Sequence, residues 1–315
     1  MGDLRVRQLR ESDLADADRI NRLAFGTFFG LEDPMKFRGD GDVVRGRYAA
    51  NPAGAFAAER DGRLIGCGFV MDWGSVGILG PVTVDVAHWG RGVARALMAD
   101  MVAYMDRRGF ALQGLFTHPQ SPSHIRLYES FGFGMQAITG VMDRQVDPQA
   151  GLPEEGRLLS TLALAERERA LAGCRDVADA VFPGLDLSGE ILSIAACGFG
   201  DTLLIEAGGT VRGFACCHQG AMSEAGSAQV LVKFAAVLPG AAAADDFARL
   251  LAGAEGFAAG RGVRRLVAGT NTGRAGCYRA MQSAGFRTWM NGVAMMRPSG
   301  PGYNRAGVFA IDDWR

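Results

Sequence analysis

Apolar and polar residues alternate over Leu4-Arg5-Val6-Arg7-Gln8-Leu9, the period of a half-buried strand. Ser12 then precedes a stretch in which Leu14, Ile20, Leu23 and Ala24 share a helical face. Two further apolar runs, Ala55 to Arg60 and Arg63 to Met71, flank Asp61-Gly62, a pair suited to a tight hairpin turn. A strand from Val76 to Val86 is interrupted by Gly80-Pro81, which should bulge it or splay it from a neighbour. Val93, Leu97, Met101, Val102 and Met105 predict a helix over 90–107, Phe110 to Thr117 a strand, and Ser123 to Phe131 a short helix stopped by Gly132.

The segment 147–156, Asp-Pro-Gln-Ala-Gly-Leu-Pro-Glu-Glu-Gly, has no periodicity and reads as a boundary. Beyond it the order returns. A helix over 161–172, a hairpin turning at Ala207-Gly208-Gly209-Thr210, a strand over 230–238 and an Ala-rich helix over 241–259 come first. A strand over 265–269, a helix, Gly285-Phe286 and a strand near residue 293 complete a second copy. We therefore expect two domains, 1–147 and 157–299, followed by a tail, 300–315, that packs across the body through Val308 to Ile311.

Composition narrows the partners. With 48% hydrophobic residues, 33 Lys and Arg against 34 Asp and Glu, and a net charge of −1, the chain has a globular composition and no basic field for nucleic acid or anionic membrane. No apolar stretch approaches the length of a membrane span, and a cytoplasmic protein is expected. The six cysteines show no C-x-x-C pair and no metal-ligand spacing, so buried reduced thiols are expected and no metal. Oligomeric state is left open.

Chemistry concentrates where the strand ending Val82-Thr83-Val84 passes through Trp89-Gly90-Arg91-Gly92-Val93-Ala94-Arg95 into a helix. Glycines let backbone approach a ligand, and the first-turn N–H groups of a helix favour an anion. A dinucleotide loop would need a small residue where Arg95 stands, and the G-x-x-x-x-G-K-[ST] phosphate loop is absent. Gly92-Val93-Ala94 resembles instead the second half of the Gln/Arg-x-x-Gly-x-Gly/Ala motif of the GNAT acetyltransferases, with Trp89 replacing the opening Gln or Arg. Leu127-Tyr128-Glu129-Ser130-Phe131-Gly132-Phe133 is similar to a second motif of that family, Leu-Tyr-x-x-x-Gly-Phe.

The resemblance implies an α/β fold of two tandem acyl-CoA N-acyltransferase domains, each a mixed sheet with strands four and five splayed to admit acetyl-CoA. It assigns Val82, Thr83 and Val84 to the pantetheine arm, Gly90, Arg91, Gly92, Val93, Ala94 and Arg95 to the pyrophosphate, and counts Ser121 among the cofactor-binding residues. Tyr128 would protonate the departing thiolate. The N–H near Val84 is the expected oxyanion donor. His118 and His124 are candidate bases, ahead of Asp72 and Asp85, and water could serve in their place.

The implied activity is transfer of an acetyl group to a primary amine of a small molecule or peptide. A non-catalytic acyl-CoA sensor and an acyltransferase with a longer donor are the alternatives. Phe25, Phe28 and Phe29 suggest an apolar acceptor pocket, with Glu32 and Asp33 beside it to attract an amine. The second half keeps Asn271 and Gly285-Phe286, but its loop 238–246 carries Asp245 and Asp246 and no Arg or Lys. Met281 stands where Tyr128 stands in the first half, with Tyr278 one turn away. We expect a degenerate copy.

Overall fold

A computed structural model describes residues 3–315. The first half runs β1 (Leu4–Gln8), α1 (Leu14–Phe28), α2 (Val43–Ala50), β2 (Ala55–Arg60), β3 (Arg63–Trp73), β4 (Val76–Val84), α3 (Val93–Arg108), β5 (Leu112–Thr117), α4 (Pro122–Glu129) and β6 (Gly134–Gln145). The second runs β7 (Gly156–Leu158), α5 (Leu164–Val181), α6 (Ser188–Cys197), β8 (Gly200–Ala207), β9 (Thr210–Gly220), β10 (Gly226–Val237), α7 (Ala243–Gly260), β11 (Arg265–Asn271), α8 (Ala275–Ser283), β12 (Arg287–Arg297) and β13 (Ala310–Ile311). Asp61 and Gly62 both take positive φ, as the β2–β3 turn requires. Helix α5 is longer than its sequence pattern suggested, and α6 was not foreseen, because its buried Ile191 and Ile194 lie in a short run without a clear start signal.

One mixed sheet has the order β1-β2-β3-β4-β5-β12-β6-β11-β10-β9-β8-β7, with β13 paired to β10. The halves exchange their last strands. β12 lies antiparallel to β5, with Val293 opposite Thr117, and β6 lies antiparallel to β11, with Thr139 opposite Asn271. The two exchanged strands also pair with each other. Asn271 seals the join by donating to the Ala137 carbonyl and the Thr139 hydroxyl, each at 3.1 Å.

Helix α3 shows how sequence builds the first half. Val93, Leu97, Met98, Met101 and Met105 recur at helical spacing and are buried against β2, β3 and β4. Burying each such side chain contributes roughly 1.5–3 kcal/mol. Gly109 ends the helix in a left-handed conformation, its N–H bonded to the carbonyls of Met105 and Asp106.

Candidate active site

The gap begins at Gly80-Pro81. β4 and β5 pair in parallel from Val76 opposite Leu112 to Leu79 opposite Leu115 and no further. On the other side, Gly68 pairs with Val82 and Val70 with Leu79, so two residues of β4 oppose one of β3. That bulge turns the last residues of β4 away from β5. The Asp85 N–H donates to the Ile65 carbonyl at 2.9 Å, which fixes the ladder's parity. Thr83 therefore bonds β3, whereas the peptide groups of Val82 and Val84 face the gap. Thr83 turns its hydroxyl inward, 3.2 Å from Cys67 Sγ.

At the mouth of the gap, Gly90 and Gly92 have φ of 73° and 80°, where a side chain would be strained. A Cβ built on either meets nothing within 4 Å, so the loop is an open cradle. The first helical bond of the turn runs from Ala96 N–H to the Gly92 carbonyl, and α3 has no side-chain cap. Among the described residues the N–H groups of Val93, Ala94 and Arg95 thus have no acceptor. Arg91 is exposed beside them. Arg95 extends over the Phe131 ring and donates to Ser130 Oγ at 3.1 Å. These features fit a pyrophosphate and a pantetheine amide arm: a positive helix end, free helix donors and strand N–H groups turned to the gap.

Tyr128 packs half-buried against the α3 core, and burial alone pushes its phenol up to about 12. It stays protonated across the neutral range. Ser121 is buried at the start of α4, 3.3 Å from the Ser123 hydroxyl. His118, one residue beyond β5, is buried among Phe28, Phe29 and Phe116 at ring distances of 5.2, 5.2 and 5.4 Å. Its Nδ1 is buried without a partner. Burial, with smaller contributions from His124 and Arg315, lowers its pKa below the usual value, which favours the neutral ring. His124 stacks on Phe28 at 5.4 Å.

The acceptor-side aromatics expected from sequence are therefore gathered around His118, joined by Phe37, which stacks on Phe25 and Phe29 at 5.4 and 5.8 Å. Phe116 was not named from the sequence, although it lies two residues before His118 and so shares its face of the strand. Glu32 and Asp33 are exposed, and Asp33 caps a short turn at Met35. Asp72 is held by Arg108 at 2.5 Å, and Asp85 caps Ala87 N–H at 3.0 Å, so both carboxylates are occupied by structure.

The second half repeats this layout and fills it. β10 leaves β11 after Leu231, with a bulge between Val232 and Phe234. There β13 enters the gap, pairing Ile311 with Ala235 and Ala310 with Ala236. The tail is locked by a buried pair, Arg274 Nη2 to Asp312 Oδ1 at 3.0 Å, and Tyr303 donates to Asp312 at 2.7 Å. Asp246, at the start of α7, is bound by Arg212 at 3.0 Å. Met281 is core, and the Tyr278 hydroxyl lies 3.3 Å from that of Thr288.

A family model described as the acetyltransferase (GNAT) family matches residues 19–133. Mycothiol acetyltransferase of Thermomonospora curvata is 37% identical over 93 residues, spanning 28% of this chain and 30% of that relative's length. Among solved structures, one described as an acetyltransferase from Pyrococcus horikoshii has a TM-score of 0.68 at 13% identity, covering 99% of this chain and 95% of its own. A tandem GNAT protein from the clavulanic acid biosynthesis pathway has a TM-score of 0.56 at 15% identity, covering 95% of this chain and 100% of its own. At such identities the structures carry the fold and nothing finer.

Proposed function

The chain belongs to the GNAT acetyltransferase superfamily through residues 19–133, and from that premise we propose that its first half transfers an acetyl group from acetyl-CoA to a primary amine of a small molecule or peptide. One observation carries the reading. The free amides of Val93, Ala94 and Arg95 and the N–H groups of Val82 and Val84 border a single gap between β4 and β5. The likeness to mycothiol acetyltransferase covers 30% of that relative and supports acetyl transfer, leaving the acceptor to be read from this chain's own pocket.

Acetyl-CoA supplies a thioester-activated acetyl group. The rest falls to the chain. The Val84 N–H donates to negative charge developing on an oxygen brought against it, and one such donor is worth about 10²–10³ in rate. His118, neutral and with an unpartnered nitrogen, accepts the proton of the incoming amine. Tyr128 donates to the departing sulfur. A phenol near 12 is a weaker acid than a thiol of about 8.5, so it acts mainly as a hydrogen-bond donor while charge builds.

Thiol release from acetyl-CoA with a panel of amines tests this. Turnover with any amine supports it. Tight acetyl-CoA binding without turnover across the panel would overturn it in favour of an acyl-CoA sensor, and faster turnover with a longer acyl-CoA would correct the donor.

A further inference from the structure

The buried residues of α1 are Leu14, Ala17, Ile20, Asn21, Ala24 and Gly26, and Asn21 is the one with a polar side chain. Only 1% of Asn21 is exposed, and its Nδ2 is buried without a hydrogen-bond partner among the described residues. A buried amide left unpaired is destabilising, and Leu, of nearly the same shape, would carry no such penalty. The fold therefore holds a donor in an apolar place where folding has no use for it.

Two contacts anchor the first turns of α1 at the end of β4. The Ala17 carbonyl lies 3.9 Å from Cys67 Sγ, which in turn lies 3.2 Å from the Thr83 hydroxyl, and Arg19 pairs with Asp85 at 3.7 Å. The last residue of the helix, Phe28, meets His118 just past the end of β5 at a ring distance of 5.2 Å. Ala17, Asn21, Ala24 and Phe28 recur at the spacing of one helical face. At about 1.5 Å of rise per residue, Asn21 stands about 6 Å along the axis from Ala17 and about 10 Å from Phe28. Its place is over the opened ends of β4 and β5, on the side of the sheet that carries Thr83 and His118, whereas the side chains of Val82 and Val84 pack with α3 on the other side.

We propose that Asn21 is a second donor to the acetyl carbonyl oxygen, acting with the Val84 N–H; this rests on the acetyl-transfer reading. As the amine nitrogen bonds to the thioester carbon, the π pair of the carbonyl moves onto that oxygen and the amine proton passes to His118. When the pair returns, the carbon–sulfur bond breaks and sulfur leaves with its electrons. The oxygen is negative only between those two events. Val84 N–H reaches it in the plane of the sheet, and the Asn21 amide reaches it from the α1 side. A donor already in place and shielded from water needs no reorganisation as that charge appears. A neutral amide also leaves the amine proton to His118, because it is not a base.

Asn21→Leu keeps the shape and removes the donor. The kcat with both substrates saturating should fall by about 10²–10³-fold, while acetyl-CoA affinity and the amine KM stay within a few fold. The denaturant midpoint should hold or rise, because the variant buries no unpaired amide. Asn21→Asp, which sets a carboxylate against the developing charge, should be slower still. A midpoint that falls with activity would make the amide structural, and a loss confined to the amine KM would make it an acceptor contact; either overturns the proposal. Wild-type kcat in Asn21→Leu leaves acetyl transfer standing and removes this inference. The carbonyl stretch of bound acetyl-CoA, isotope-labelled at the acetyl carbonyl carbon and read by infrared difference spectroscopy, should lie lower in the wild type than in Asn21→Leu. That shift in a chain that acetylates no amine keeps the donor and removes acetyl transfer. Equal frequencies would overturn the proposal whatever the turnover.

Discussion

The indole N–H of Trp89 donates to the main-chain carbonyl of Val84 at 2.8 Å, tying the glycine loop at Gly90 and Gly92 to the end of β4. The carbonyl of that peptide is occupied, while the neighbouring N–H of Val84 faces the gap. A residue that departs from the family motif thus shapes the backbone on which the motif depends. Trp89→Phe keeps an aromatic ring, smaller than the indole, and removes the donor. A net hydrogen bond of about 0.5–1.5 kcal/mol predicts a loss of about 2–10-fold in acetyl-CoA affinity by titration, with the fold intact. Unchanged affinity would mean that the bond does not set the loop.

Tyr128→Phe removes one hydroxyl and keeps its packing against α3. Turnover number at saturating acetyl-CoA should fall by about 10²-fold, the low end for losing one proton donor, and acetyl-CoA affinity should hold. Equal losses in binding and rate would make the side chain structural. Full activity would hand its role to water.

The pH dependence follows from His118. Its pKa is lowered from 6.5 by burial, so the base proposed here is lost only as pH falls through a value below that of a free imidazole. The acid limb of kcat, measured with both substrates saturating, should therefore lie below the pH at which a free imidazole titrates. His118→Asn should lower the plateau by about 10²-fold and abolish that acid limb. A limb unchanged in His118→Asn would assign the proton to another group.

Closure of the second gap by β13 predicts a division of labour. Tyr278→Phe should leave turnover within a few fold. Arg274→Met, which leaves Asp312 buried and unpaired, should destabilise the protein by about 3–5 kcal/mol in a denaturant titration. A loss of activity in Tyr278→Phe with acetyl-CoA binding intact would move the chemistry to the second half.

Much of this was legible in the chain because the signals are local. The turn at Asp61-Gly62, the stripe from Val93 to Met105, the Gly80-Pro81 interruption and the spacing of Tyr128 from Gly132 each depend on residues close in sequence. The exchange of β6 and β12 was not legible: both strands carry apolar runs that fit either partner, and pairing over long separations leaves no mark on periodicity. The tail showed only four apolar residues, and its entry beside Ala235 depends on a gap formed about 75 residues earlier in the chain. His118 was nameable, but its cage draws Phe28 and Phe29 from α1 and its end and Phe116 from β5.

The most direct measurement is a calorimetric titration of acetyl-CoA into the wild-type chain and into Gly92→Glu. Glutamate at that position forces a side chain onto a backbone with φ of 80° and sets a carboxylate where phosphate would lie against the free amides of α3. The account predicts one site per chain in the wild type and none in Gly92→Glu. Two equal sites, or one that survives the substitution, would contradict it.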